Sequence, residues 1–160
     1  MKSTIIATAF VGACVLSPAS AGAFDGFETE ADAVSDTIKC PSPKLTEDAG
    51  LPDLWGCIWP GAEVAKVFIN EDGDGGVENV KVMWNDWTRD TGYGTHTDQA
   101  QAFAWLSALA TRYAPQKVDA VLNAFASNSD VSIEGPAHIL RYTYWKGPAI
   151  DERLVTITAK

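Results

Sequence analysis

Two alternating runs, at residues 64–70 and 77–84, form the first regular pattern in the chain. In the second run, Val80 and Trp84 fall on one side and polar residues fall on the other, which is the two-residue period of a half-buried strand. A polar, glycine-rich segment at 71–76 separates the two runs. Strand, glycine-rich loop and strand together predict a β-hairpin.

Two helical patterns follow the hairpin. Apolar residues recur at three- and four-residue intervals across 100–113, and Asp98 precedes them as a potential cap with Gln101 as its reciprocal partner. Pro115 ends this helix and can open the next one. The second helix has an apolar stripe at i, i+3, i+4 and i+7, formed by Val118, Val121, Leu122 and Phe125.

The remaining sequence returns to strand patterns. Residues 138–145 and 153–158 predict two strands, and 131–134 predicts a short strand before them. The resulting ββααββ order favours an α+β fold, because runs of strands and runs of helices are kept apart. We expect an antiparallel sheet of about four strands with two helices packed on one face, in a single domain at 58–160.

The first 23 residues have the organisation of a cleavable signal peptide. Lys2 supplies a positive charge, residues 5–16 are uncharged and largely apolar, and small residues allow cleavage after Ala21 or Ala23. The apolar stretch is shorter than the roughly 20 residues that span a bilayer, and no later segment approaches that length. These features predict a periplasmic or secreted protein without a membrane span.

The three cysteines divide between the signal peptide and the mature chain. Cys14 follows a sequence that loosely resembles a lipoprotein cleavage box, so acylation there is an alternative to conventional cleavage. Cys40 and Cys57 are the two that remain, and an even count in an oxidising compartment predicts a disulfide between them. Residues 24–57 are otherwise acidic and proline-rich, so we expect an irregular N-terminal arm fixed by this disulfide.

Acidic side chains outnumber basic ones, 21 to 12, and give the chain a formal net charge of −9. Loss of Lys2 with the signal peptide makes the mature domain more negative by one unit. This charge argues against general nucleic-acid binding, which needs a basic surface. It is compatible with electrostatic steering of a cationic partner, although solubility alone also explains it.

The segment 85–97 is the main candidate site, because aromatic, basic and acidic residues are concentrated in a predicted loop. Trp, Tyr and Arg carry much of the binding energy at protein interfaces. We therefore predict a binding module for a protein or envelope component, with a site formed by Trp87, Arg89, Asp90, Tyr93 and His96. The alternative is a structural loop whose aromatic residues cover the end of the sheet.

A catalytic interpretation of the same segment depends on His96. Asp90 or Asp98 could orient it as a general base in a small hydrolase. The sequence lacks a G-x-S-x-G nucleophile elbow and an H-E-x-x-H zinc motif, so we favour binding over catalysis. A purely structural envelope domain is a third possibility.

The segment 70–78 resembles the first half of a calcium loop. Asn70, Asp72 and Asp74 present oxygen ligands at alternate positions before Gly75. The twelfth position is Lys81 instead of a glutamate, so any calcium site is weak and an acidic hairpin turn is the simpler interpretation. We predict no other cofactor.

The strand at 138–145 has two chemically different faces. Tyr142 and Tyr144 share one face with Leu140, and Arg141 shares the other with Trp145. Core packing with cross-strand pairs explains this composition most simply. The alternative is an exposed aromatic and arginine platform for a protein or glycan.

Overall fold

The computed structural model describes residues 24–90 and 92–160, so the predicted signal peptide, with Cys14, lies outside the described residues. The described part contains three α-helices, a 3₁₀ turn at Pro115–Lys117 and seven strands. None of these helices has the length and apolar character needed to cross a membrane. The elements in chain order are α1 Phe27–Ile38, β1 Pro43–Thr46, β2 Leu54–Ile58, β3 Ala65–Glu71, β4 Val77–Trp87, α2 Gln99–Tyr113, α3 Val118–Ala126, β5 Val131–Glu134, β6 His138–Trp145 and β7 Ile150–Ala159.

All seven strands form one antiparallel sheet in the order β1-β2-β3-β4-β7-β6-β5. The predicted class of mixed helices and antiparallel sheet is confirmed. The predicted hairpin is also present as β3 and β4, in which Val67 lies opposite Val82. The final strand, β7, pairs with both β4 and β6 and therefore lies inside the sheet.

The predicted strand count and the irregular N-terminal arm are wrong. Residues 24–57 contain α1, β1 and most of β2, and the ββααββ order lacks these elements. Buried Phe27, Ala31, Val34 and Ile38 give α1 an apolar face, although its many carboxylates hide this pattern in the sequence. Pro43 begins β1, an edge strand, where a missing N–H group costs no ladder hydrogen bond.

The three helices cover one face of the sheet and leave the other face bare. Strand residues that point toward the helices are almost fully buried, including Val67, Val82 and Ile157. Residues at the alternate positions retain partial exposure. This alternation is expected for an antiparallel sheet with a single covered face.

The predicted disulfide between Cys40 and Cys57 is present, with a Cα–Cα distance of 6.0 Å. It links the residue after the cap of α1 to β2. Trp105 of α2 adds a second connection at the same place, because its Nε1 donates a hydrogen bond of 2.9 Å to the carbonyl of Ile38. The segment predicted to be an irregular arm is thus attached to the core.

A buried carboxylate joins α1 to α2. Glu30 is 1% exposed and lies 2.9 Å from Arg112 Nε and 2.5 Å from the Tyr113 hydroxyl. Burial and the neighbouring Glu30 carboxylate raise the pKa of Tyr113, so its hydroxyl stays protonated and donates to Glu30. The ring of Tyr113 also packs at 5.0 Å from the ring of His138, and burial lowers the pKa of that histidine.

Candidate functional site

The predicted 85–97 loop begins as the end of a strand. Residues 85–87 belong to β4, and the irregular connection to α2 starts at Thr88. Asp86 continues the helix-facing side of the strand and is 1% exposed, whereas Trp87 points to the bare face. The two neighbouring side chains therefore contribute to different structures, a buried polar network and an aromatic surface.

Asp90 organises the tip of the connection. Its Oδ1 accepts hydrogen bonds from the backbone N–H groups of Gly92 (2.9 Å) and Gly94 (3.1 Å), and these bonds hold the pKa of Asp90 below its usual value. Both glycines have positive φ, 114° and 83°, a region that residues with a side chain rarely adopt. Asp90, predicted as a binding residue, thus braces the loop from within.

The base of the connection is tied to the sheet. The Thr97 hydroxyl lies 2.5 Å from the Tyr93 carbonyl oxygen and 3.0 Å from that of Gly94. The carbonyl of Thr97 accepts a hydrogen bond of 2.9 Å from Nε1 of the buried Trp84. The N–H of His96 donates to the carbonyl of Trp87 at 2.8 Å. These bonds attach the last residues of the connection, His96 and Thr97, to β4.

His96 lies beside a carboxylate other than the two expected from the sequence. Its Nδ1 is 2.7 Å from Oδ1 of Asp86, and its side chain is 55% exposed. Asp90 instead accepts from backbone N–H groups. The Asp98 side chain makes no capping hydrogen bond to α2, so the predicted reciprocal cap with Gln101 is wrong. Partial burial raises the pKa of Asp98. The histidine and carboxylate pair of this site is therefore His96 and Asp86.

Arg153 completes the polar network below His96. Its Nε lies 3.2 Å from Oδ2 of Asp86, and it comes from β7, the strand that pairs with β4. The rest of its guanidinium satisfies groups around the end of α3, namely the carbonyls of Phe125 and Ser127, the Tyr142 hydroxyl and the Asn128 side chain. Sequence reasoning missed Asp86 and Arg153; the available signal was a charge at a core-facing position of each strand.

Four residues form what we call the aromatic surface, at the end of the bare face nearest the connection: Trp87, Tyr93, Trp145 and Ile150. The rings of Trp87 and Tyr93 lie 5.9 Å apart, and Ile150 is directly opposite Trp87 in the sheet. Tyr93 is 61% exposed and Trp145 is 62% exposed. Trp145 of β6 lies opposite Glu152 of β7, and Glu152 is on the same face as Ile150, two residues away. Trp145 is therefore on the bare face, one strand beyond Ile150.

A shallow cleft of about 450 Å³ opens at the same end of the sheet but on its helix-facing side, because Tyr144, Asp151 and Asn128 line it. Arg89 and Lys146 line it together with Tyr144, whose hydroxyl donates to Asp151 at 2.5 Å. Arg89, another predicted binding residue, thus lines this cleft, which contains none of the four residues of the aromatic surface. The strand at 138–145 divides as its alternation suggested, with Tyr142 buried and both Arg141 and Trp145 exposed.

In the calcium-like segment, side-chain groups of Asn70 and Asp72 form hydrogen bonds with nearby protein groups. Oδ1 of Asp72 accepts the N–H groups of Asp74 and Gly76, each at 2.9 Å, and Asn70 donates to the side chain of Asn79. Within residues 24–90 and 92–160, no group of three or more His, Cys, Asp or Glu side chains is placed to hold a metal ion. The carboxylates here stabilise a hairpin turn.

No family model matches this chain, and the searches of curated proteins and of solved structures give no significant match. The described residues present two candidate functional features: the aromatic surface and the polar network of His96, Asp86 and Arg153.

Proposed function

We propose that the mature chain is a periplasmic or secreted binding module that holds a protein or envelope component on the aromatic surface. The observation that carries this proposal is the exposure of Tyr93 and Trp145, both above 60%, at one end of the bare face. The disulfide is compatible with an oxidising compartment, as export requires. The signal-peptide pattern of the sequence supports the same location.

Exposed aromatic rings on a rigid frame favour binding for two physical reasons. Burial of a large apolar side chain contributes about 1.5–3 kcal/mol, and Tyr93 and Trp145 keep most of that contribution available for a partner. Asp90 accepts and Thr97 donates hydrogen bonds within the connection, so we expect association to cost less conformational entropy. Tyrosine and tryptophan in such settings are frequent hot spots of binding.

A second candidate function is a small hydrolase, favoured by the distance of 2.7 Å between His96 and Asp86. A buried carboxylate that orients an exposed imidazole is a common arrangement for a general base. The contacts of Asp86 with Arg153 favour a structural role instead, because they make the carboxylate part of the support for the connection. We therefore place binding first.

The binding proposal is tested by capture of partners from envelope and secreted extracts on the immobilised mature domain. We expect a stoichiometric partner whose affinity falls at least about 30-fold for the double variant Tyr93→Ala, Trp145→Ala, which corresponds to a loss of about 1 kcal/mol for each side chain. Both side chains are mostly exposed, so the fold should persist. The matched control removes two other exposed side chains, Leu45 and Leu51, by substitution with alanine. Equal affinity of both variants for the partner would reject the aromatic surface as the site.

The hydrolase candidate is tested by His96→Ala. Loss of turnover on an envelope substrate, with an unchanged circular dichroism spectrum, would establish catalysis and place binding second. Retention of stoichiometric partner binding by His96→Ala, without turnover by the unmodified protein, would remove the hydrolase. The two experiments use different residues, so their outcomes are independent.

A further inference from the structure

Four basic side chains lie on the bare face of an acidic protein. In β3, β4 and β6 the cations alternate with buried, helix-facing positions, and Lys44 of β1 lies opposite Gly56 and lines a groove with Phe68 on the same face. The four are Lys44 of β1, Lys66 of β3, Lys81 of β4 and Arg141 of β6. Together they are a third of the 12 basic residues of the whole sequence. The bare face is therefore where much of the positive charge is concentrated.

The register of the sheet places three of these cations in one row across the strands. Directly opposite residues follow each other from β1 to β6 through β2, β3, β4 and β7 in the order Lys44, Gly56, Phe68, Lys81, Thr156, Arg141. Neighbouring strands are about 4.8 Å apart, so this cationic row spans roughly 24 Å. A partner bound across the strands would contact the three positive charges of this row in sequence.

Few acidic groups oppose the cationic row. The strands place two carboxylates on the bare face, Glu134 and Glu152, and Glu134 is 3.1 Å from Lys160. A third, Glu63, precedes β3 and lines the same groove as Lys44. In the described part of the chain, Lys44, Lys81 and Arg141 form no ion pair within 4.0 Å. Screening limits electrostatic effects to about 8 Å at physiological salt, so a docked partner senses this local charge more than the net charge of −9.

An apolar groove runs beside the first half of the row. It has a volume of about 290 Å³ and is lined by Leu54, Gly56, Ile58 and Phe68, with Lys44 and Glu63 among the other lining residues. Gly56 contributes to its shape, because a Cβ there would lie 3.1 Å from the Phe68 ring and the ring would have to shift slightly. The groove offers space for an apolar side chain next to a positive charge.

We infer that the bare face binds an acidic protein partner, whose carboxylates meet the row of Lys44, Lys81 and Arg141 and whose apolar side chain enters the groove. This inference rests on the proposed function, which requires a partner, and it specifies that the partner is negatively charged. Net charge alone suggested a cationic partner, whereas the charge of this face is complementary to an anionic one. The aromatic surface continues the same face and extends the contact.

The shape of the bare face favours a protein over a lipid surface. A sheet of seven strands is twisted, with each strand rotated by about 20–25° relative to its neighbour. A planar membrane therefore cannot approach Lys44 and Arg141, five strand positions apart, at the same time. A protein surface can follow the twist, and its mixture of acidic and apolar side chains fits both the row and the groove.

A random copolymer of glutamate and tyrosine is a suitable probe, because it carries carboxylates and rings without a defined sequence. We expect the mature domain to bind the labelled copolymer in fluorescence anisotropy, with an affinity that falls as salt is raised. The double variant Lys81→Glu, Arg141→Glu should weaken binding at least tenfold. The control Lys39→Glu, Lys117→Glu makes the same change in net charge at exposed positions outside the strands and should leave binding within twofold.

Three outcomes would overturn the inference: no binding of the copolymer, equal weakening by both double variants, or binding to phosphatidylglycerol vesicles in place of the copolymer. Circular dichroism of each variant shows whether the sheet is intact. The same variants are then tested with the partner that the aromatic surface captures. If the affinity for that partner is unchanged in Lys81→Glu, Arg141→Glu, the acidic-partner inference is rejected and the proposed function stands. Loss of binding in Tyr93→Ala, Trp145→Ala alone would identify the aromatic surface as the sole site.

Discussion

At the scale of single residues, Asp86 connects the candidate site to the core. It is buried, and its two oxygens face His96 and Arg153. Asp86→Ala would leave the guanidinium of Arg153 buried without its carboxylate, which typically costs about 3–5 kcal/mol. Urea denaturation should show this loss. The control Asp90→Ala removes an exposed carboxylate, and an equal loss in both variants would contradict the role given to the buried pair.

His138 should make stability depend on pH. Burial lowers its pKa in the folded protein, with Glu30 opposing this shift, so the unfolded chain takes up a proton at a higher pH than the folded one. The stabilisation from neutral His138 is complete above its unfolded pKa of about 6.5, and it is lost as the pH falls from there through the folded value.

His138→Phe keeps a ring between Phe24 and Tyr113 and removes the titration. The free energy of unfolding should therefore fall less for this variant than for the unmodified protein between about pH 7.5 and about pH 5. Urea titrations at the two pH values measure the difference. Parallel losses in the two proteins would show that other groups control the acid sensitivity.

Sequence patterns identify residues of this site unevenly. Tyr93 and His96 stand out by residue type, and the structure brings them near Trp87 and Asp86. Arg153 could not be predicted as their neighbour, because its proximity to Asp86 depends on the pairing of β4 with β7, 67 residues apart in sequence. Local periodicity carries no information about such distant pairings.

At the scale of elements, the strongest periodic segments were predicted well. The hairpin of β3 and β4, helices α2 and α3 and strand β6 lie close to their expected positions. Helix α1 was missed because its exposed face is rich in carboxylates, and β1 is a short, exposed edge strand without alternation. Elements of this kind form through tertiary contacts more than through their own propensity.

The disulfide should stabilise the segment that was missed. Cys40 and Cys57 close a loop with a sequence separation of 17, which in the chain-entropy model corresponds to about 3 kcal/mol. The double variant Cys40→Ser, Cys57→Ser should lose about this much free energy of unfolding. The unmodified protein in a reducing agent is the matched control, and a much smaller loss in either sample would show that α1 and Trp105 suffice to hold the segment.

At the scale of the whole molecule, the bare face carries a row of positive side chains although the net charge of the chain is negative. The acidic total predicted from composition is compatible with a cationic partner, but composition has no spatial information. The strand register brings Lys44, Lys81 and Arg141 into line, and register depends on which strands are neighbours. The class of fold followed from the sequence, whereas the sign of the candidate interface required the topology.

The interior position of β7 predicts all-or-none folding. A chain that stops before Ile150 lacks the strand that joins β4 to β6 and buries Val155 and Ile157. Such a truncated chain should show no cooperative urea transition and no near-ultraviolet circular dichroism signal. A cooperative transition would instead show that β1 to β4 with the helices form an independent unit.

The same position of β7 also affects the timing of folding during synthesis. β7 follows β1 to β6 in the chain and closes the middle of the sheet, so a growing chain leaves sheet edges unsatisfied until β7 has been synthesised. Folding of the complete sheet therefore waits for this strand. Because we propose that this chain is exported, the delay gives the export machinery time to bind the polypeptide before the domain has folded.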